Sequence, residues 1–416
     1  MPTSEDAIAL WAGVTDVTPV HAEPPHGDRL INCRTHGTVA ANSARCLLPR
    51  SGEVMILGYR SSHSMDMIHG LAITIAVCSA GCGLAAEILE TRIARLPAAM
   101  AADWQAYLAR SRAAAEHNQE RLAAEIAAAG WGRAIRAPSG GDFKPRSDTP
   151  PNWYCNGEGA TLIATVLSFQ TPAGGWSKHT GYSRGQRQPG MQWSSQSEPG
   201  RRSHYLGTID NGATTRELRF LAQAWAATGR DDCRVAVSRG LDYLLAAQFP
   251  SGGWPQVYPL EGGYHDNITF NDDAMTNVLE LLQDIIAEKS PFRCVEPDRR
   301  ARIVAAVKRG IACVLASQIK VRGVKAVWCS QHDPLSFAAV PGRAYEPAAL
   351  SGVESARLLR FLMRLPRPSP EVVACIESGL AWLEAAKVTG LIQVTHGGRT
   401  TLFPPIFGAG LLGTVL

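Results

Sequence analysis

The chain has no Cys-x-x-Cys pair among its 10 cysteines, no block of like charge and no single-residue tract. The first absence excludes a zinc ribbon and a thioredoxin-type redox site. The other two exclude a long disordered tail. The D-x-[DN]-x-[DN]-G spacing of an EF-hand loop is also missing. A net charge of only +4 over 416 residues gives little attraction to polyanions, and no nucleic-acid partner is expected. One apolar run, "MDMIHGLAITIAVCSAGCGLAAEI" from Met65, is too short and too rich in small residues to predict a membrane span. It is expected to be a buried helix if synthesis starts at Met1, and an export signal if it starts at Met65 or Met67. The even cysteine count suits a secreted protein with disulfides and equally a set of buried thiols.

Apolar residues make up 45% and charged residues 19%, so the chain can bury one large core or two ordinary ones. Residues 1 to 83 show no sustained period and predict loops with short strands. From Ala85 to Ala129 the pattern is helical, rich in Ala, Leu, Glu and Arg. The Gly/Pro-rich "RAPSGGDFKPRSDTPP" at 136–151 predicts a boundary between an N-terminal region, 1–150, and a second domain, 151–416.

Beyond that boundary the chain repeats. Helix-like runs precede loops at "TLIATVLSFQTPAGGW", "GLDYLLAAQFPSGGW", "GIACVLASQIKVRGVKAVW" and "GLAWLEAAKVTG", and partner helices lie between them. Leu167/Gln170, Leu245/Gln248 and Leu315/Gln318 share one spacing, and the first two units also share Gly-Gly-Trp. Helix hairpins that recur roughly every 60 to 80 residues cannot bury their apolar faces alone and must stack. The expected fold is mainly α, an irregular α/α toroid of helix hairpins whose long loops form a groove.

The stretches that lead into two of the partner helices align without a gap, "TIDNGATTRELRFLAQ" from Thr208 and "TFNDDAMTNVLELLQD" from Thr269. Asp210-Asn211 therefore falls on Asn271-Asp272, and the third unit carries Arg343 in the corresponding loop. Such residues commonly cap helices, each cap contributing about 1 kcal/mol. Repetition favours a second role, because a hard cation takes carboxylate and amide oxygens from more than one loop.

The segments "GGWSK", "TIDNGATT", "GGWPQVYP", "ITFNDDAM", "WCSQHDP" and "RAYEPAALSG", in this order, resemble the motif series of the pectate lyases of polysaccharide lyase family 10. The likeness spans roughly residues 100 to 400. It implies a secreted, calcium-dependent, endo-acting enzyme that cleaves polygalacturonate by β-elimination, with an acidic polysaccharide as its partner, no membrane contact and a monomeric state. Position by position, Asp272 and Asp210 would be Ca²⁺ ligands and Arg343 the catalytic base. Lys178 and Asn211 would serve the substrate carboxylate. Trp176, Trp254 and Tyr258 are candidates either for stacking on sugar rings or for packing the loops. His332 reads as a hydrogen bonder that fixes its loop, and Glu346 as the residue that orients Arg343. The C-terminus departs from the family: Gly408-Ala409-Gly410 stands where a substrate-binding arginine is expected, and Arg399 is an unaligned substitute for another. Two alternatives remain: an inverting glycoside hydrolase with Asp210 and Asp272 as its acid and base, and a non-catalytic pectate-binding protein.

Overall fold

The repeated Leu-x-x-Gln and Gly-Gly-Trp spacings correspond to one hydrogen-bonded clamp built three times. In the computed structural model, which describes residues 89–146, 148–196, 204–387, 389, 392–396 and 399–403, each buried Gln ends a helix and bonds two carbonyls. Gln170 Nε2 donates to Gly174 O and Ala236 O, both at 2.9 Å. Gln248 donates to Gly252 O and Ala306 O at 2.8 and 2.9 Å. Gln318 donates to Ala326 O and Cys375 O at 2.9 and 3.0 Å. The amide thus closes its own loop and ties it to the next helix. Each following tryptophan turns back under its helix, with Trp176, Trp254 and Trp328 donating to Val166 O, Leu244 O and Val314 O at 2.8 to 2.9 Å.

The helices are α1 (Ala98–Ala128), α2 (Pro151–Cys155), α3 (Gly157–Ser168), α4 (Thr215–Thr228), α5 (Asp231–Ala247), α6 (Ala274–Ile286), α7 (Pro297–Ser317), α8 (Gly352–Met363) and α9 (Pro370–Ala386), and the clamps follow α3, α5 and α7. Hairpins α4–α5, α6–α7 and α8–α9 stack in two layers: α4, α6 and α8 lie side by side, and so do α3, α5, α7 and α9. Glycines allow the layers to meet. A Cβ on Gly240 would lie 2.6 Å from Leu218, and on Gly310 2.7 Å from Leu279, each also 3.0 Å from the clamp tryptophan. The described residues belong to one compact unit, Ile75–Leu416, and most of the buried apolar side chains join a single core.

The long N-terminal helical pattern is not one helix. Residues 89–93 are helical, and the chain then breaks at Pro97 before α1, because proline cannot donate within a helix interior. Trp104 and Tyr107 of α1 stack on Phe249 at 5.4 and 5.2 Å, and Tyr107 also bonds Ala247 O at 3.1 Å. Strands are short: β1 (Ile268–Thr269) pairs antiparallel with β4 (Gln331–His332), β2 (Lys320–Val321) with β3 (Val324–Lys325), and β5 (Ile392–His396) with β6 (Arg399–Phe403). No described helix is long and apolar enough to cross a membrane. The apolar run from Met65 lies outside the described residues.

Replacing Gln248 by leucine removes two buried bonds and leaves two carbonyls and Arg309, which donates to Gln248 Oε1 at 2.5 Å, without that partner. Gln248→Leu is expected to cost about 2–3 kcal/mol in urea unfolding; a loss under about 0.5 kcal/mol would show that the clamp contributes little.

Candidate active site

Each clamp also positions the loop that leads into the next helix. The carbonyls of Trp176, Trp254 and Trp328 accept from the backbone N–H of Thr208, Thr269 and Ser351 at 3.0, 3.1 and 2.8 Å. Cross-links then join the units. Ile209 N donates to Gln256 O at 3.1 Å, Thr208 Oγ1 to the same carbonyl at 2.6 Å, and Phe270 N to Ser330 O at 2.9 Å. The loops before α4 and α6 are thereby held side by side.

On these loops Asn211 and Asp272 take the same left-handed conformation, φ 51°, ψ 27° and φ 53°, ψ 31°. The gapless alignment of these two loops therefore holds in three dimensions, at residue types that tolerate positive φ. The structure brings Asp210 and Asp272 together, close enough to hydrogen-bond. Desolvation by the surrounding loops, then the charge of Asp210 and the bond to it, push Asp272, whose side chain is still exposed, up to about 6. Asp210 is buried; its Oδ1 accepts from Asn211 N at 3.0 Å and its Oδ2 meets Lys178 Nζ at 2.5 Å. Asn271 Nδ2 donates to Asp272 Oδ2 at 2.7 Å. Two adjoining carboxylates that repel one another, with amide oxygen nearby and no soft donor, fit a hard cation such as Ca²⁺.

Capping does not explain this knot. Asp273 occupies the N-cap position of α6, but its side chain makes no capping bond and its buried Oδ1 has no partner. Burial and the neighbouring Glu354 and Glu280, against Arg357, leave it raised to about 6. Asn271 serves Asp272 rather than the helix.

Arg343 does not occupy the expected place in the third repeat. Ser351 and Ser355 repeat the bonds of Thr208 and Thr214 to the clamp tryptophan, yet four residues separate the serines and six the threonines. The third unit thus has no counterpart of the Asp210-Asn211 turn. Arg343 comes instead from a loop upstream, where Glu346 Oε1 accepts from its Nε at 2.9 Å and from its Nη2, and Oε2 accepts from its backbone N–H at 2.9 Å. The Glu346 bond holds the guanidinium above its ordinary pKa. The Tyr264 hydroxyl, raised chiefly by burial, bonds that of Tyr205 at 3.1 Å and feels the charges of Arg343, Asp210 and Glu346.

Other expectations separate cleanly. Trp254 and Tyr258 are 0% and 3% exposed, so the sugar-stacking reading is corrected for both: they pack the loops and their ring faces are covered by core residues. Trp176 is buried in the same way. His332 is the loop-fixing residue, accepting from Cys329 N at 3.0 Å and bonding Phe337 O at 2.8 Å. Asp333 is a staple: burial would raise it, but Arg92, at 2.6 and 2.7 Å, and Ser336 hold it down to about 2. Arg399 opens β6 opposite His396, and its side chain lies outside the described ones. The Gly408-Ala409-Gly410 departure also lies outside the described residues.

Two neighbours of the site were not expected from the sequence. Glu354, in the first turn of α8, contributes negative charge at Asp272. It precedes Ser355 as Ala213 precedes Thr214 and Ala274 precedes Met275, so an acid in place of a small residue was the available signal. Glu217 lines a small cavity with Lys178, His179 and Asn211. Its Oε1 accepts from Tyr182 Oη at 3.1 Å, and its Oε2 has no partner.

Burial pushes Glu217 from 4.5 up to about 7. A carboxyl raised on folding stabilises fully below its unfolded value, and that contribution is lost as pH rises through the folded one. The unfolding free energy of Glu217→Gln minus that of the wild type should therefore grow by about 3 kcal/mol between pH 4.5 and 8. A pH-independent difference would show that Glu217 titrates normally.

Among curated proteins nothing matches. The pectic acid lyase family model matches residues 170–401. A solved family 10 polysaccharide lyase from Cellvibrio cellulosa is 33% identical, with a TM-score of 0.51, over 62% of this chain and 82% of that one. An Asp-to-Ala mutant of a family 10 polysaccharide lyase from the same organism, in complex with trigalacturonic acid, is 34% identical with a TM-score of 0.50, over 58% of this chain and 74% of that one. Matched over more than half its length, with its own loops and helices arranged as described, the chain belongs to the pectic acid lyase family and is a polysaccharide lyase.

Proposed function

We propose that this lyase is a calcium-dependent, endo-acting pectate lyase that cleaves α-1,4-polygalacturonate by β-elimination and leaves 4,5-unsaturated ends. The observation that carries the reading is the Asp210–Asp272 pair, two neighbouring carboxylates that come from matching turns, one position apart, on the loops that lead into successive helices. We place the catalytic groups within residues 151–416, whose two helix layers curve into an α/α toroid, in a secreted monomer. The structure of a relative with trigalacturonic acid supports an acidic polysaccharide as substrate.

Asp210 and Asp272 are the residues that would hold calcium. When bound, the ion supplies positive charge beside the uronate carboxylate, where negative charge develops as C5 loses its proton. Lys178, paired with Asp210 in the free protein, is the cation we assign to a substrate carboxylate, with Asn211 supporting the same subsite. Arg343 is the proposed base that takes the C5 proton, after which the glycosidic oxygen leaves C4. An arginine normally stays protonated, and Glu346 strengthens that state. Arg343 must therefore leave Glu346 on substrate binding, and positive charge near it must oppose its protonation. The consequence is an alkaline optimum.

The hydrolase reading is disfavoured by distance. An inverting pair needs about 6.5–9.5 Å between carboxyls to admit water, whereas Asp210 and Asp272 are within hydrogen-bonding reach. Arg343→Ala is expected to lower turnover of polygalacturonate at least about thousandfold, with calcium affinity, read by titration calorimetry, within about twofold of wild type. Near-normal turnover in Arg343→Ala would remove Arg343 as the base.

A further inference from the structure

We infer that His204, Glu261 and His265 form a second metal site, for a borderline transition cation such as Zn²⁺, separate from the paired aspartates. One ligand atom from each residue lies within 4.8 Å of the other two. His204 Nδ1 and Glu261 Oε1 are 2.9 Å apart. The His204 and His265 rings stand 5.0 Å apart and nearly perpendicular, at 87°, so they meet edge to face instead of stacking in parallel.

The surroundings suit ligation. His265 is buried, and burial lowers its pKa to about 4, so its imidazole is neutral in ordinary buffers, the form that binds a metal. Its Nε2 lies 2.7 Å from the Tyr205 hydroxyl, which holds the ring in place. Tyr205 N donates to Glu261 Oε2 at 3.1 Å. A histidine oriented by a hydroxyl and a carboxylate oriented by an N–H have the kind of hydrogen-bonded support that metal ligands usually have. Two imidazoles and one carboxylate form a zinc-type set, whereas calcium takes oxygens. An ion pair alone would need only His204 and Glu261. The neutral His265 adds no charge to such a pair, yet it completes the set of three donors.

The site would tie the loop before Thr208 to the short helix Gly263–Asp266. It adjoins the active-site loops through Tyr205, whose ring carries Lys178 Nζ at 4.0 Å. The inference does not rest on the calcium reading and is tested apart from it.

Chelator-stripped full-length protein, supplied with excess Ca²⁺, is titrated with Zn²⁺ by calorimetry, and with Co²⁺ by visible absorption to report coordination. One saturable Zn²⁺ per chain is expected, unaffected by the Ca²⁺. His265→Gln and Glu261→Gln should each weaken it at least about tenfold, since even outer partners of a metal ligand matter that much. His204→Ala, at a more exposed ring, gives the same readout if His265→Gln fails to fold. No saturable Zn²⁺ binding, or wild-type affinity in the folded variants, would overturn the site.

Discussion

The bond from each clamp tryptophan's carbonyl to the backbone of the loop before the next helix is the constraint on which the rest depends. Trp176, Trp254 and Trp328 are anchored by their indole N–H groups to the helix behind them, and their carbonyls fix Thr208, Thr269 and Ser351. Because the tryptophans are buried in the core, these loops inherit its rigidity. Side chains on loops are normally mobile, and a site needs its groups held within a fraction of an ångström. Here the repeat supplies that precision, and two turns of like conformation set two carboxylates against each other.

That contact is unfavourable by itself. Asp272 is raised by desolvation and by Asp210, Glu354 adds to the repulsion, and among the described residues Lys178 is the cation that pairs directly with Asp210. Such an arrangement persists because the backbone beneath it is over-determined, and functional sites are where strain of this kind collects. Arg343 has the opposite problem. Its partner Glu346 satisfies it too well for a base, so the proposed role requires exchanging that partner, whereas the proposed role of the aspartates requires only a counter-charge.

The helical hairpins were legible because their period and the Leu-x-x-Gln spacing reflect the packing directly. Gln170, Gln248 and Gln318 are buried for the bonds they make, and a polar residue recurring in an apolar face signals that. The correspondence of Asp210-Asn211 with Asn271-Asp272 was equally legible, since no insertion separates the units. The third unit was misread because its shortened turn changes where Arg343 enters, and a gap of two residues leaves no mark in composition. Trp254 and Tyr258 misled because aromatic residues near a groove look alike in sequence whether their faces are open or covered. Glu354 and the His204–Glu261–His265 group escaped because their members meet only after the loops fold.

The central claim, that the paired aspartates hold a calcium ion needed for elimination, is tested most directly by ultraviolet absorbance. Purified protein is incubated with polygalacturonate at alkaline pH with calcium, then with a chelator, then with calcium restored. The account predicts absorbance from unsaturated ends that stops on chelation and resumes with calcium. New reducing ends without that absorbance, or absorbance that continues at an unchanged rate in excess chelator, would contradict it.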